Sequence, residues 1–188
     1  MNCVKINNQL ETHLYKQPSL DYKVNLPMHR TYNLPNGITS GVEFEMLLTS
    51  FQHECSCMFI FIQKSGDTLA NSLHTYKIDK IKITDSNSQS LQNAIYNDTT
   101  FLQNMYAKQW FRGSDFFVKN ANYIYLLTFA NDPRSTILEN KYSGSVRLND
   151  NKLFVNPLET LTDPAILNVI FISPSYLRMT NKLSLHNS

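Results

Sequence analysis

The sequence predicts an all-β, antiparallel sandwich, and three observations predict it. Short runs rich in Val, Ile, Phe and Tyr recur along the 188 residues, separated by turn-forming Asn, Asp, Pro and Gly. In Tyr76–Thr84 the lysines Lys77, Lys80 and Lys82 interleave with Ile78, Ile81 and Ile83, which reads as a strand with one solvated face. Helical spacing of apolar residues surfaces in one segment alone, after Asp98.

In chain order the predicted strands are Ser19–Asn25, Gly41–Ser50, Cys55–Gln63, Tyr76–Thr84, Asn122–Ala130, Ser143–Leu148, Lys152–Val155 and Ile166–Ser173. Turn signals part them: Pro35-Asn36-Gly37, Ser65-Gly66-Asp67, Asn131-Asp132-Pro133 and Asn149-Asp150-Asn151. From Asp98 to Phe111, Phe101, Met105, Ala107 and Trp110 fall at roughly helical spacing, and Asp98 or Thr99 is placed to cap the helix. Eight strands with one short inserted helix is the inventory of an antiparallel, eight-stranded jelly-roll sandwich. At this length residues 1–188 form a single domain.

Three strands break the wet-face rule. Met58-Phe59-Ile60-Phe61-Ile62, Tyr123-Ile124-Tyr125-Leu126-Leu127 and Val169-Ile170-Phe171-Ile172 are apolar on both faces. A monomer rarely leaves such a face bare, so something covers it. A loop, the helix, a second domain and a neighbouring subunit are all open as the cover.

Composition points the same way. Hydrophobic residues make up 42% and charged ones 17%, against roughly a quarter charged in an average soluble domain. The surface is therefore largely Asn, Ser and Thr, which repels copies of itself weakly. The net charge of +2 comes from scattered lysines and arginines, with no dense run to neutralise phosphates, so no direct nucleic-acid partner is expected. No apolar run is long enough for a transmembrane segment, and Met1-Asn2-Cys3-Val4-Lys5 opens no signal peptide. Three cysteines make no disulfide framework, and a reducing compartment is the default.

Catalytic motifs are lacking: no nucleophile elbow, phosphate loop, dinucleotide fingerprint or paired-histidine zinc motif occurs. The best chemical candidate is His53-Glu54-Cys55-Ser56-Cys57, where strand periodicity would put His53, Cys55 and Cys57 on one face as three possible zinc ligands. His74 or His29 could supply a fourth. Against this, cysteine packs as a small hydrophobe, and Phe51, Phe59 and Phe61 continue the same face, so core packing is the stronger reading. A metal-dependent jelly-roll enzyme would also want closely spaced histidines, which this chain lacks. Tyr123, Tyr125 and Phe129 form an aromatic stripe that could stack sugars but more often packs. Asn97-Asp98-Thr99 matches a glycosylation sequon, relevant only to a secreted chain. No catalytic, cofactor-binding or metal residue is assigned, and no cofactor is expected.

From Ile81 onward the chain carries an ordered series: Ile81-Lys82-Ile83, the helical stretch Asp98 to Phe111, Tyr123 through Phe129 ending at Asn131-Asp132-Pro133, then Tyr142-Ser143-Gly144-Ser145-Val146-Arg147. It closes on Val169-Ile170-Phe171-Ile172, Ser175-Tyr176-Leu177-Arg178-Met179 and a tail with Leu183, Leu185, Asn187 and Ser188. This series resembles the C-terminal jelly roll of the major capsid proteins of nucleocytoplasmic large DNA viruses and virophage-type viruses. The family's tail glycines are replaced here by Asn181, Lys182 and Ser184, and its aromatic-Gln-Pro step by Leu138-Glu139-Asn140-Lys141-Tyr142. The family fuses two jelly rolls, and 188 residues hold one.

The resemblance implies a structural protein of the virion capsid and not an enzyme, assembled inside the host cell. Homotrimers would form pseudo-hexameric capsomers of an icosahedral shell, each roll packing on a second jelly roll and on neighbouring capsomers. Met58–Ile62 and Tyr123–Phe129 would build the sandwich and its covered face, with Tyr176 and Arg178 anchoring the C-terminal segment. Two rivals stand beside it: a ligand- or glycan-binding jelly-roll attachment domain, and a metal enzyme built on His53, Cys55 and Cys57.

Overall fold

Alternating polarity builds the sheets, and Lys152–Pro157 shows the rule plainly. Leu153, Val155 and Pro157 are buried in the computed structural model, while Lys152, Phe154 and Asn156 between them are half-buried. That is the two-residue period of a strand with one dry face. The structure describes residues 19–48, 53–66, 75–95, 123–139 and 142–180.

Among the described residues the elements are β1 (Ser19–Leu34), β2 (Phe44–Leu47), β3 (Glu54–Cys55), β4 (Cys57–Lys64), β5 (Thr75–Tyr76), β6 (Ile78–Thr84), β7 (Ser90–Ile95), β8 (Tyr125–Thr128), helix α1 (Pro133–Glu139), β9 (Val146–Arg147), β10 (Lys152–Pro157) and β11 (Ala165–Thr180). The first sheet runs β1-β11-β4, with β8 and β5 both paired to β4. Leu127 lies opposite Met58 on one stretch of β4, and Tyr76 opposite Ile62 on the next. The second sheet runs β2-β10-β6-β7, and β3 pairs with β9 in a two-residue ladder.

The winding explains the fold. Strands β4 and β6, with only the two-residue β5 between them, lie beside β11 and β10, antiparallel, with Ile172 opposite Cys57 and Lys152 opposite Thr84. One long hairpin ribbon thus crosses from the first sheet to the second, and β1 and β2 flank it on one side. The flanking β8 and β7 complete the other side. This is the jelly-roll arrangement that the strand inventory predicts.

The main core lies between the sheets. Met58, Ile60 and Ile62 of β4 and Leu167, Val169 and Phe171 of β11 meet Ile78, Ile81 and Ile83 of β6 and Leu153 and Val155 of β10, all fully buried. Tyr125 of β8 spans this core, its hydroxyl accepting the Ile78 N–H of the other sheet at 2.8 Å. A buried phenol needs such a partner, and here it ties sheet to sheet.

Several sequence expectations change. Cys55–Gln63 is not one strand: it breaks at Ser56, whose carbonyl accepts the N–H groups of both Phe129 and Ala130 while its own N–H goes to Ile172. Phe129 and Ala130 thus oppose the single residue Ser56, a bulge-like irregularity that re-aims the chain. Tyr76–Thr84 likewise breaks at Lys77 into β5 and β6. Strand β7 is missed by the sequence, and Ser143–Leu148 shrinks to Val146–Arg147. The helix expected after Asp98 and the Asn97 sequon lie outside the described residues.

The described helix instead follows Asn131-Asp132-Pro133, read from sequence as a turn only. Asp132 is its cap: Oδ1 accepts the Ser135 N–H at 3.0 Å and Oδ2 the Ser135 hydroxyl at 2.7 Å. Pro133 fills the first helical position, where a missing N–H costs nothing. Those Ser135 hydrogen bonds hold the Asp132 carboxyl below the usual carboxylate range.

Two compact units are distinguished, residues 25–174 and the joined termini 1–24 with 175–188. The sandwich core belongs to the first. In the second, the described residues 19–24 and 175–180 are extended strand.

Candidate functional site: the outer face of the first sheet

Alternation along β4 turns Met58, Ile60 and Ile62 inward and leaves Cys57, Phe59, Phe61 and Gln63 outward. On β11 the outward set is Ile166, Asn168, Ile170 and Ile172. No charged residue occupies these eight positions. Such a face is poorly solvated, and part of it has found a cover. Cys57, Leu126, Ala130 and Ile172 are buried in a second cluster, packed by Phe59, Ile170 and Ile137, the last carried by α1.

The chain holds α1 there with polar contacts. The Asn25 side-chain amide of β1 donates to the Thr136 carbonyl within the helix. Ser143 hydrogen-bonds the backbone of Asn131 and Asp132 and meets the buried Thr136 hydroxyl at 2.9 Å. Gly144 makes this approach possible. Its φ is +138°, which L side chains rarely adopt, and a Cβ there would lie 3.0 Å from the Phe129 carbonyl oxygen, a contact the backbone would have to yield to accommodate. The Ser-Gly step and the Asp-Pro step, separate in sequence, are one clasp.

Phe61 and Ile166 are half-buried on the same face. Asn168, directly opposite Phe61, is a buried polar residue on this apolar face. Its Oδ1 lies 2.9 Å from His29 Nε2, and its amide donates to Gln63 Oε1 at 3.2 Å and the Ile166 carbonyl at 3.3 Å. One residue from each of three adjacent strands thereby satisfies the others.

The second sheet's outer face is of another kind. Lys80, Lys82, Lys152 and Glu45 stand outward, Lys152 pairs with Glu45 at 2.8 Å, and Lys82 lies 4.5 Å from the Phe154 ring centre. A lysine ammonium held over the ring beside other charged side chains leaves this face compatible with water.

The expectation that His53, Cys55 and Cys57 share one face is overturned. The break at Ser56 sends Cys55 into the main core and Cys57 into the second cluster, on opposite sides of the sheet. Burial pushes both thiols up, Cys55 further with Cys57 nearby, and Cys57 to about 11 despite its hydrogen bond to Thr128. Burial thus favours the protonated thiol at both positions. His53 is exposed, His29 is engaged with Asn168, and His74 lies outside the described residues. Among the described residues no three His, Cys, Asp or Glu side chains gather as a metal-holding group.

The aromatic stripe also turns inward: Tyr125 is buried in the main core, and Tyr123 and Phe129 pack against it half-buried. Tyr176, expected as an anchor, leaves 70% of its surface exposed. The Arg178 side chain lies outside the described ones. No described helix is long and apolar enough to cross a membrane.

Comparison with known proteins starts from the sequence, which matches no family model and no curated protein. Solved structures do match in three dimensions. A quasi-atomic model of the PBCV-1 virus capsid superposes with a TM-score of 0.67 over 93% of this chain, at 14% identity. The PBCV-1 capsid protein fitted into a reconstruction of the virophage Sputnik gives 0.65 over 93%, also at 14%. The fold is that of a viral capsid jelly roll. A cryo-EM structure of the Sputnik virophage agrees more distantly, with a TM-score of 0.51 over 88% of the chain at 16% identity. This jelly roll spans about half of the PBCV-1 chains, 52% of each. At such identities the likeness is one of architecture.

Proposed function

We propose that this chain is a structural subunit of a viral capsid, a single jelly-roll domain over residues 1–188 that works through interfaces and not through catalysis. The observation that carries the reading is the fold likeness to viral capsid structures over 93% of the chain. The uncharged outward positions of β4 and β11 support it, because interface cores are depleted in charge and rich in aromatic and aliphatic groups. In this reading Phe61 and Ile166, beyond α1, pack against a second jelly roll. Three such pairs form a pseudo-hexameric capsomer, and capsomers tile an icosahedral shell in the virion. The solvated lysine face of the second sheet stays in water. No nucleic acid, metal or cofactor takes part.

Light scattering of the purified chain over a range of concentrations tests this, with electron microscopy of the largest species. Trimers, sheets or shells are the expected outcome. A monomer that binds a hydrophobic dye, with the binding abolished in Phe61→Asp, supports a roll awaiting its partner. A monomer that binds no dye at any concentration overturns the assembly reading.

A further inference from the structure

We draw no further inference here: the strongest candidate, the half-buried apolar strip of Phe59, Phe61, Ile166 and Ile170 on the outer face of β4 and β11, carries none beyond the assembly already proposed, because nothing in the structure shows what covers it.

Discussion

The two sheets share one core but treat their outer faces in opposite ways. Outward positions on β6 and β10 hold Lys80, Lys82 and Lys152; β10 alternates throughout and β6 does so from Lys80 to Ile83. Outward positions on β4 and β11 hold Phe59, Phe61, Ile170 and Ile172, and alternation vanishes. Both sheets fold because the inward residues suffice. The outward residues decide what each sheet must meet next: water for one, protein for the other. In the first sheet α1 supplies part of that protein, with Ile137 packed on the second cluster.

The contrast is broken most sharply by moving a charge. Ile172→Lys places an unpaired ammonium in the second cluster and is expected to cost about 3 kcal/mol or more. Phe154→Lys on the other sheet's outer face is expected to cost under about 1 kcal/mol. Urea unfolding of both variants checks this, and equal losses would erase the distinction.

Alkaline titration probes the covered face next. The folded chain raises the Cys57 pKa from 9.0 to about 11, so the folded state keeps a proton that the unfolded state sheds. Stability is therefore full below pH 9 and falls as pH rises towards about 11, by about 1.4 kcal/mol per pH unit for this thiol. Cys55 shifts in the same direction and adds to the fall. Unfolding midpoints at about pH 8 and about pH 10.5 measure it, and Cys57→Ala should show the smaller drop.

Loosening the cover is a milder change. Ile137→Ala removes the helix's apolar contact and is expected to cost about 1–2 kcal/mol, since the side chain is only partly buried. Asp132→Ala removes the cap beneath it and should lower the melting temperature, with Asp132→Asn largely restoring it at neutral pH. The Asp132 carboxyl sits below its ordinary range, so its contribution is present above the unfolded pKa and lost as pH falls through the folded one. Asp132→Asn should flatten that part of the acid limb. A melting curve that ignores both substitutions would show that α1 is not held by its cap.

Smallest of all is the wet face. Lys82→Gln removes the ammonium over Phe154 and is expected to cost about 0.5 kcal/mol. Screening the Lys152–Glu45 pair with salt should shift stability by less than about 1 kcal/mol. A larger salt effect would mean that this face, too, carries structural weight.

Much of this was legible in the residues. Period-two patterning gave β6 and β10 almost to their ends, and the unbroken apolar runs marked β4, β8 and β11 as covered on both sides. Strand β7, Ser90–Ile95, escaped because Ser90, Gln92 and Asn93 give its outline no apolar rhythm. Helix α1 escaped because Asp-Pro serves a turn and a helix start equally. The cap bond to the Ser135 N–H does not decide between them, because any residue but proline at that position offers the same donor.

What the sequence by itself determined is the class of fold and the imbalance between the two outer faces, since both follow from local periodicity and side-chain polarity. Tertiary structure alone decided that Cys55 and Cys57 part company, that Ser143-Gly144 clasps Asp132, and that His29, Asn168 and Gln63 meet. The first depends on how the chain turns at Ser56 against Phe129, Ala130 and Ile172. The second depends on a contact eleven residues apart that no period-two or helical rhythm marks, and the third on strands more than a hundred residues apart. A single extra residue in a strand reverses every face that follows it, and no local pattern announces where the chain will place one.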